Sequence, residues 1–66
     1  MEELIGKRIR ERRKSLNMKQ ETLAKESKVS RATISALENG KCKNVLVSTL
    51  TAIADALETT VEFFFT

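Results

Sequence analysis

With 66 residues, the chain has room for one small domain and would bury only about 60% of its unfolded surface, which makes a deep catalytic cleft difficult to build. The chain contains no proline, which favours helices. It contains no histidine and a single cysteine, Cys42, which excludes a Cys/His zinc site, an internal disulfide and an imidazole-dependent triad. The net charge of +3 is unevenly distributed: positions 1–33 contain ten basic and five acidic residues, and positions 34–66 contain two basic and four acidic residues. A basic half beside an acidic half predicts an anionic partner on one side.

The apolar residues of the N-terminal third repeat with a helical period. Ile5, Ile9 and Leu16 share one face of a first helix, which we predict to end at Asn17 because asparagine tolerates the left-handed backbone conformation of helix ends. A second, short helix is predicted over residues 20–27. The cationic side chains of the first helix are expected to form a solvated face that consists of Lys7, Arg8, Arg10, Arg12 and Lys14.

A third helix is predicted to follow Ser30, a residue type that caps helix N-termini well. Its inward face carries Ile34 and Leu37 at helical spacing. Asn39 and Gly40 end it, because glycine adopts a positive φ without a steric penalty. The third helix is therefore short and bounded at both ends by recognisable signals.

A fourth and a fifth helix are predicted toward the C-terminus. Ser48 is expected to cap the fourth helix while Val47 packs on Ala52 as a hydrophobic staple. The apolar face of this helix has i, i+3, i+4, i+7 spacing and consists of Leu50, Ile53, Ala54 and Leu57. Thr60 is expected to begin the short fifth helix, which carries three consecutive phenylalanines. The chain is thus predicted to be one all-α, compact five-helix domain over residues 1–66.

Residues 20–39 have the clearest functional pattern, a helix followed by a tight break and a second helix. Two short helices that meet at about 90–120° need a small residue at their contact, here Ala24, and an apolar pair that holds the angle, here Ile34 and Leu37. The second helix can then place its outer side chains in a major groove about 12 Å wide. We therefore predict a helix-turn-helix core over this range.

The segment resembles the helix-turn-helix of the Cro and lambda-repressor family of bacterial and phage regulators, also known as the xenobiotic-response-element family. The resemblance covers nearly the whole chain and rests on linked motifs in the family's order. They are Ile5-Gly6-Lys7-Arg8-Ile9-Arg10, Gln20-Glu21-Thr22-Leu23-Ala24, Val29-Ser30-Arg31-Ala32-Thr33-Ile34-Ser35, Glu38-Asn39-Gly40-Lys41 and the last two helices over 50–57 and 60–65. The layout is also similar to that of small controllers of restriction-modification systems. The resemblance implies a lambda-repressor-like DNA-binding domain.

Two positions depart from the pattern of this family. Lys28 stands at the turn between the second and third helices, where the family often has glycine. Glu58 similarly replaces the glycine that is usual between the fourth and fifth helices. We expect either slightly strained bends or non-glycine residues with positive φ at these two turns.

The resemblance implies base-reading side chains on the third helix, at Arg31, Ala32, Ser35 and Ala36. The guanidinium of Arg31 can bind O6 and N7 of guanine together, which provides about 1–3 kcal/mol of discrimination; the alternative is a solvated or phosphate-bound arginine. Alanine can contact only a thymine methyl group. Direct readout should therefore be sparse, and DNA shape is expected to supply part of the specificity.

Phosphate contacts are expected on both sides of the groove. Gln20 and Thr22 begin the second helix, where side-chain and backbone donors can hold a phosphate, although an ordinary helix surface is the alternative. The exit side of the groove is expected to be flanked by Thr33, Asn39, Lys41, Lys43 and Asn44. If several cations contact phosphates, affinity should fall steeply with salt.

The resemblance also implies one internal and one intermolecular contact. An ion pair between Arg13 and Glu38 is expected to join the first helix to the end of the third, unless Glu38 is only the exposed end of a helix. A homodimer is expected through Val61 and Phe63, since two recognition helices must lie about 34 Å apart to read two half-sites. Cys42 is expected to be a structural bystander.

These observations predict a transcriptional regulator that binds a pseudo-palindromic DNA operator as a homodimer. The alternative is an antitoxin-like or adaptor protein that acts mainly through a protein partner. An enzyme is the least favoured class, because a chain without His, Tyr or Trp offers no convincing acid–base pair. No cofactor, metal or small-molecule ligand is expected. Neither a signal peptide nor an apolar run of about 20 residues is visible, so the expected location is the cytoplasm.

Overall fold

A computed structural model describes residues 2–42 and 44–66 of the chain. Four α-helices follow one another as α1 (Glu2–Ser15), α2 (Gln20–Ser27), α3 (Arg31–Glu38) and α4 (Val47–Ala56). The fifth element, the 3-10 segment, spans Val61–Phe65. The predicted all-α fold is confirmed, although its last element is a 3-10 helix. None of the described helices is both long and apolar enough to cross a membrane.

One apolar core holds the five elements together. α1 packs against α3 and the 3-10 segment, while α2 packs against α3 and α4. Each buried Ile, Leu or Phe side chain contributes about 1.5–3 kcal/mol, so packing rather than intrinsic propensity stabilises these short helices. The largest side chains that are completely buried are Ile9, Leu23, Ile34, Ile53, Leu57 and Phe64.

All four α-helices end in the same kind of turn. A residue with positive φ follows each of them: Asn17 after α1, Lys28 after α2, Gly40 after α3 and Glu58 after α4. At the end of α4, the carbonyl of Ala54 accepts the N–H of Leu57 at 3.1 Å and that of Thr59 at 2.9 Å, so the turn supplies partners to a carbonyl of the last helical turn. The predicted helix ends at Asn17 and Gly40 are confirmed, as is the positive φ at Glu58.

The start of α4 differs from the prediction. The helix begins at Val47, and Leu46 precedes it in an extended conformation without a side-chain cap. The carbonyl of Leu46 already accepts the N–H of Leu50 at 3.1 Å, so Ser48 lies inside the first turn and is not the N-cap. Val47 is 73% exposed, and its predicted packing on Ala52 is also wrong. The capping preference of serine therefore does not determine where this helix begins.

The three phenylalanines lie in a 3-10 helix because the residues before them suit an α-helix poorly. Thr60 and Val61 are β-branched, which restricts their side chains in a helical turn. The N–H of Phe63 donates to the carbonyl of Thr60 at 3.2 Å, an i→i+3 bond. Phe64 completes the core, Phe63 is half-buried and Phe65 remains 42% exposed.

α1 and α3 approach each other closely at Gly6, which is buried within α1. A Cβ atom at this position would collide with the carbonyl oxygen of Leu37 in α3. Glycine inside a helix is less stable than alanine by about 0.5–1 kcal/mol. The close approach of the two backbones explains why glycine is nevertheless required here.

We expect Gly6→Ala to destabilise the fold by about 1–3 kcal/mol, because the new methyl group meets a backbone atom that moves only if the helices move. Urea unfolding followed by circular dichroism measures this change. The matched control is Lys7→Ala at the exposed neighbouring position, which should change stability by no more than about 0.5 kcal/mol. A Gly6→Ala variant as stable as the wild type would contradict the close approach.

Candidate nucleic-acid interface

The turn between α2 and α3 consists of Lys28, Val29 and Ser30. Lys28 has φ 61°, so a non-glycine residue does adopt the left-handed conformation at this position. The hydroxyl of Ser27, which is buried, donates to the carbonyl of Leu23 at 2.7 Å and accepts the N–H of Val29 at 3.3 Å. Ser27 therefore ties the turn to α2. Sequence reasoning missed this role, whose only signal was a small polar residue at the end of the helix.

Ser30 begins α3 as the sequence predicted. It is extended, at φ −61° and ψ 147°, and its hydroxyl oxygen accepts the N–H of Thr33 at 3.1 Å. The same hydroxyl donates to the side-chain oxygen of Thr33 at 2.8 Å. Ile34 and Leu37 are buried on the inward face of α3, so the opposite face points away from the core.

Two side-chain contacts show how α3 lies relative to α2. The amide nitrogen of Gln20 donates to Glu38, in the last turn of α3, at 3.2 Å. The next residue, Glu21, accepts a hydrogen bond from Arg31, in the first turn of α3, at 3.0 Å. Neighbouring residues of α2 thus reach opposite ends of α3. The third helix therefore runs across the start of the second, as in a helix-turn-helix.

The Arg13–Glu38 ion pair holds α3 against α1. Nε and Nη2 of Arg13 donate to the two carboxylate oxygens of Glu38 at 2.8 and 2.9 Å, and Nη1 donates to the carbonyl of Met18 at 2.8 Å. The side chains of Arg13 and Glu38 are only 11% and 3% exposed. This two-pronged geometry fixes orientation as well as distance. The contact joins α1, the turn after it and α3.

The position of Glu38 makes this contact necessary. A carboxylate in the last turn of a helix meets the negative end of the helix dipole, which is unfavourable. Arg13 supplies the compensating positive charge. The hydrogen bonds from Arg13 to Glu38 raise the pKa of Arg13 above its ordinary value, against the opposing effect of burial. Glu38 thus favours the charged form of the guanidinium in spite of its burial.

The four residues predicted to read bases all lie in α3 but differ in their exposure to solvent. Arg31 and Ala32 are exposed in the first turn, whereas Ser35 and Ala36 are half-buried. Arg31 is the longest of these side chains and is 61% exposed. The remaining three are small, so the backbone of α3 is open to close approach by a partner.

The residues predicted to bind phosphates, as far as the structure describes them, lie at the start of α2, in α3 and in the segment after α3. Thr22, Asn39, Lys41 and Asn44 are exposed, and Thr33 is half-buried. The side-chain nitrogen of Asn39 donates back to the carbonyl of Ser35 at 2.9 Å. Gln20 is half-buried against Glu38. Lys43, predicted as a phosphate contact, lies outside the described residues.

The predicted solvated face of α1 is wrong for two of its five members. Nε of Arg12 donates to the carbonyl of Leu57 at 2.9 Å, and its Nη2 donates to that of Glu58 at 3.2 Å, so Arg12 caps the C-terminal end of α4. Arg8 lies over the ring of Phe63, with 5.8 Å between the guanidinium carbon and the ring centre. Lys7, Arg10 and Lys14 are exposed. Sequence periodicity missed both arginines because their partners lie more than 40 residues away.

The residues predicted for a dimer interface and the cysteine are all partly buried. Val61 and Phe63 are half-buried and pack against the core. Cys42 is a free thiol, also half-buried against the core. Among the residues that the structure describes, the large hydrophobic residues that are exposed are instead Leu46, Val47 and Phe65.

Comparisons with known proteins agree with this geometry. Residues 9–64 match the profile of the family described as Helix-turn-helix. The chain is similar to the restriction-modification controller protein C.AhdI from Aeromonas hydrophila, with a TM-score of 0.90 and 31% identity over 97% of this chain and 96% of that one. It is also similar to a helix-turn-helix transcriptional regulator from Vibrio cholerae, with a TM-score of 0.88 and 28% identity over 97% of this chain and 35% of that one. A search of curated proteins gave no match.

We expect Glu38→Ala to destabilise the fold by about 3–5 kcal/mol, because it leaves the nearly buried guanidinium of Arg13 without its carboxylate. Thermal unfolding followed by circular dichroism measures the loss. Glu3→Ala, which removes an exposed carboxylate of α1, is the control and should leave stability nearly unchanged.

A double variant separates the loss of the pair from the cost of one buried charge. Arg13→Met combined with Glu38→Leu removes both charges, so it should unfold at a higher temperature than Glu38→Ala. Unchanged thermal stability of Glu38→Ala would contradict a buried ion pair between Arg13 and Glu38.

Proposed function

We propose that this chain, which belongs to the helix-turn-helix family, is a transcriptional regulator that binds double-stranded DNA through α3. The observation that carries the proposal is the exposed outer face of α3, with Arg31 in its first turn, on a helix held across the start of α2. The similarity to a controller protein and to a transcriptional regulator supports the same function.

The dimensions of α3 suit a major groove. An α-helix with its side chains is about 10–12 Å across, and a major groove is about 12 Å wide. Ala32, Ser35 and Ala36 add little bulk, so the helix can enter the groove deeply. In this arrangement Arg31 reads a guanine through its guanidinium, and the small residues contact thymine methyl groups or the sugar-phosphate backbone. Sequence-dependent DNA shape contributes the remaining specificity.

Phosphate binding is proposed on both sides of this helix. At the start of α2, free backbone N–H groups and the hydroxyl of Thr22 face the partner. Gln20 donates one amide hydrogen to Glu38 and keeps a second one for a phosphate. On the exit side, Thr33, Asn39, Lys41, Lys43 and Asn44 complete the proposed set.

We further propose that two copies bind a pseudo-palindromic operator. Val61 and Phe63 contribute apolar surface beside the exposed ring of Phe65, and a contact between copies would remove this surface from water. Two recognition helices must then lie about 34 Å apart. The similarity to C.AhdI over nearly its whole length supports a restriction-modification controller as the class of regulator.

Selection of bound duplexes from a random pool at two salt concentrations tests the function. We expect enriched inverted repeats whose half-site centres are about one helical turn apart. Affinity should fall with salt with a slope of about 0.9 for each phosphate that is neutralised. Sedimentation of the complex should give two chains per selected duplex.

The other outcomes of this selection are distinct. Salt-sensitive binding without enrichment would indicate an architectural protein, and the absence of binding would favour the adaptor alternative. One chain per duplex would contradict the homodimer while leaving the DNA-binding function intact.

We expect Arg31→Ala to weaken binding to the selected duplex by about 1–3 kcal/mol and to relax the base preference at one position of each half-site. Fluorescence anisotropy with selected and scrambled duplexes measures both effects. Arg10→Ala is the matched control, because it removes the same charge from an exposed position of α1. Arg10→Ala should weaken binding to the selected and to the scrambled duplex by the same factor. If Arg31→Ala also weakened both by the same factor, Arg31 would not be a base-reading residue.

A further inference from the structure

We infer that Glu21 determines DNA specificity by acting on Arg31, an inference that rests on the proposed function. Oε1 of Glu21 accepts a hydrogen bond from Nη1 of Arg31 at 3.0 Å. The contact joins the first turn of α2 to the first turn of α3, where Arg31 and Ala32 are exposed. Glu21 is thus the acidic residue that lies beside the proposed base-reading side chain.

The hydrogen bond leaves the reading edge of the guanidinium available. Among the described residues, no acceptor binds Nε or Nη2 of Arg31. These two groups form a planar fork of the kind that binds O6 and N7 of guanine together. By holding Nη1, Glu21 limits the rotation of a long side chain that is 61% exposed. Part of the entropy cost of ordering Arg31 is therefore met before DNA arrives.

The carboxylate of Glu21 also limits how much Arg31 contributes to the affinity for DNA that lacks the preferred sequence. While Arg31 is paired with Glu21, the two charges cancel near the phosphates, so the pair adds little to binding that depends only on charge. The ion pair is highly exposed, with side-chain exposures of 61% and 73%, and such pairs are weak enough to rearrange readily. A guanine in the correct position can still bind the fork of Nε and Nη2, which Glu21 leaves free. Glu21 therefore lowers non-specific affinity more than specific affinity.

Glu26 provides a matched control for this inference. It is exposed on the same helix and carries the same charge. No ion pair joins it to another part of the described chain. Glu26→Gln changes the net charge as Glu21→Gln does, without touching Arg31.

The experiment measures dissociation constants by fluorescence anisotropy for the selected duplex and for a scrambled duplex of the same composition. We expect Glu21→Gln to lower the ratio of specific to non-specific affinity about threefold to fivefold, as expected for the loss of one exposed pair. Most of this change should come from tighter binding to the scrambled duplex. Glu26→Gln should change both affinities by the same factor. In an Arg31→Ala background, Glu21→Gln should leave the ratio unchanged.

The outcomes separate the inference from the function on which it rests. If the wild type prefers the selected duplex but Glu21→Gln alters the ratio no more than Glu26→Gln, the inference alone is wrong. The inference alone is also wrong if Glu21→Gln lowers the affinity ratio by the same factor in the Arg31→Ala background. It is likewise wrong if Glu21→Gln raises the ratio in the wild-type background. If the wild type binds neither duplex, the proposed function fails and the inference fails with it. Thermal unfolding of each variant tests whether the substitution leaves the fold intact.

Discussion

The orientation of α3 depends on one buried carboxylate. Glu38 binds Arg13 of α1 through two hydrogen bonds and accepts a third from Gln20 of α2. Both charges are almost completely removed from water, so either one without the other would be costly. The apolar core supplies the stability of the domain, but apolar contacts are not directional. The geometry of a guanidinium on a carboxylate is directional, and it is this contact that holds the proposed reading helix across the start of α2.

The basic character of the N-terminal half has two distinct uses. Arg12 and Arg13 bind backbone carbonyls or a carboxylate within the domain, and Arg8 stacks on Phe63 while it pairs with Glu11. These cations stabilise helix ends and the packing of α1. Net charge therefore overstates how many cations are available to a partner. The exposed face of α3 offers one long cation, Arg31, and this cation is itself paired with a carboxylate. Specificity would then come from how that single side chain is held, and less from the amount of positive charge.

Close backbone approach is the second constraint on the domain. Gly6 lets α1 pass directly over the end of α3, which brings Arg13 within reach of Glu38. The turn after α2 has a comparable requirement, since Lys28 adopts a left-handed conformation and the buried hydroxyl of Ser27 ties the turn to α2. Both features are local, yet each sets the position of α3. A domain this small has few contacts with which to compensate for the loss of either.

Local signals in the sequence determined most of the fold. Apolar spacing identified the inward faces of the helices, Ser30 marked the start of α3, and Asn17 and Gly40 marked helix ends, because each depends only on neighbouring residues. The motifs also identified the helix-turn-helix family. Only the tertiary structure decided that α4 begins at Val47, that Arg12 caps α4, that Gly6 is required and that Arg31 pairs with Glu21. These features join residues of different elements, or depend on burial against them, and no periodicity along one element encodes the distance between two.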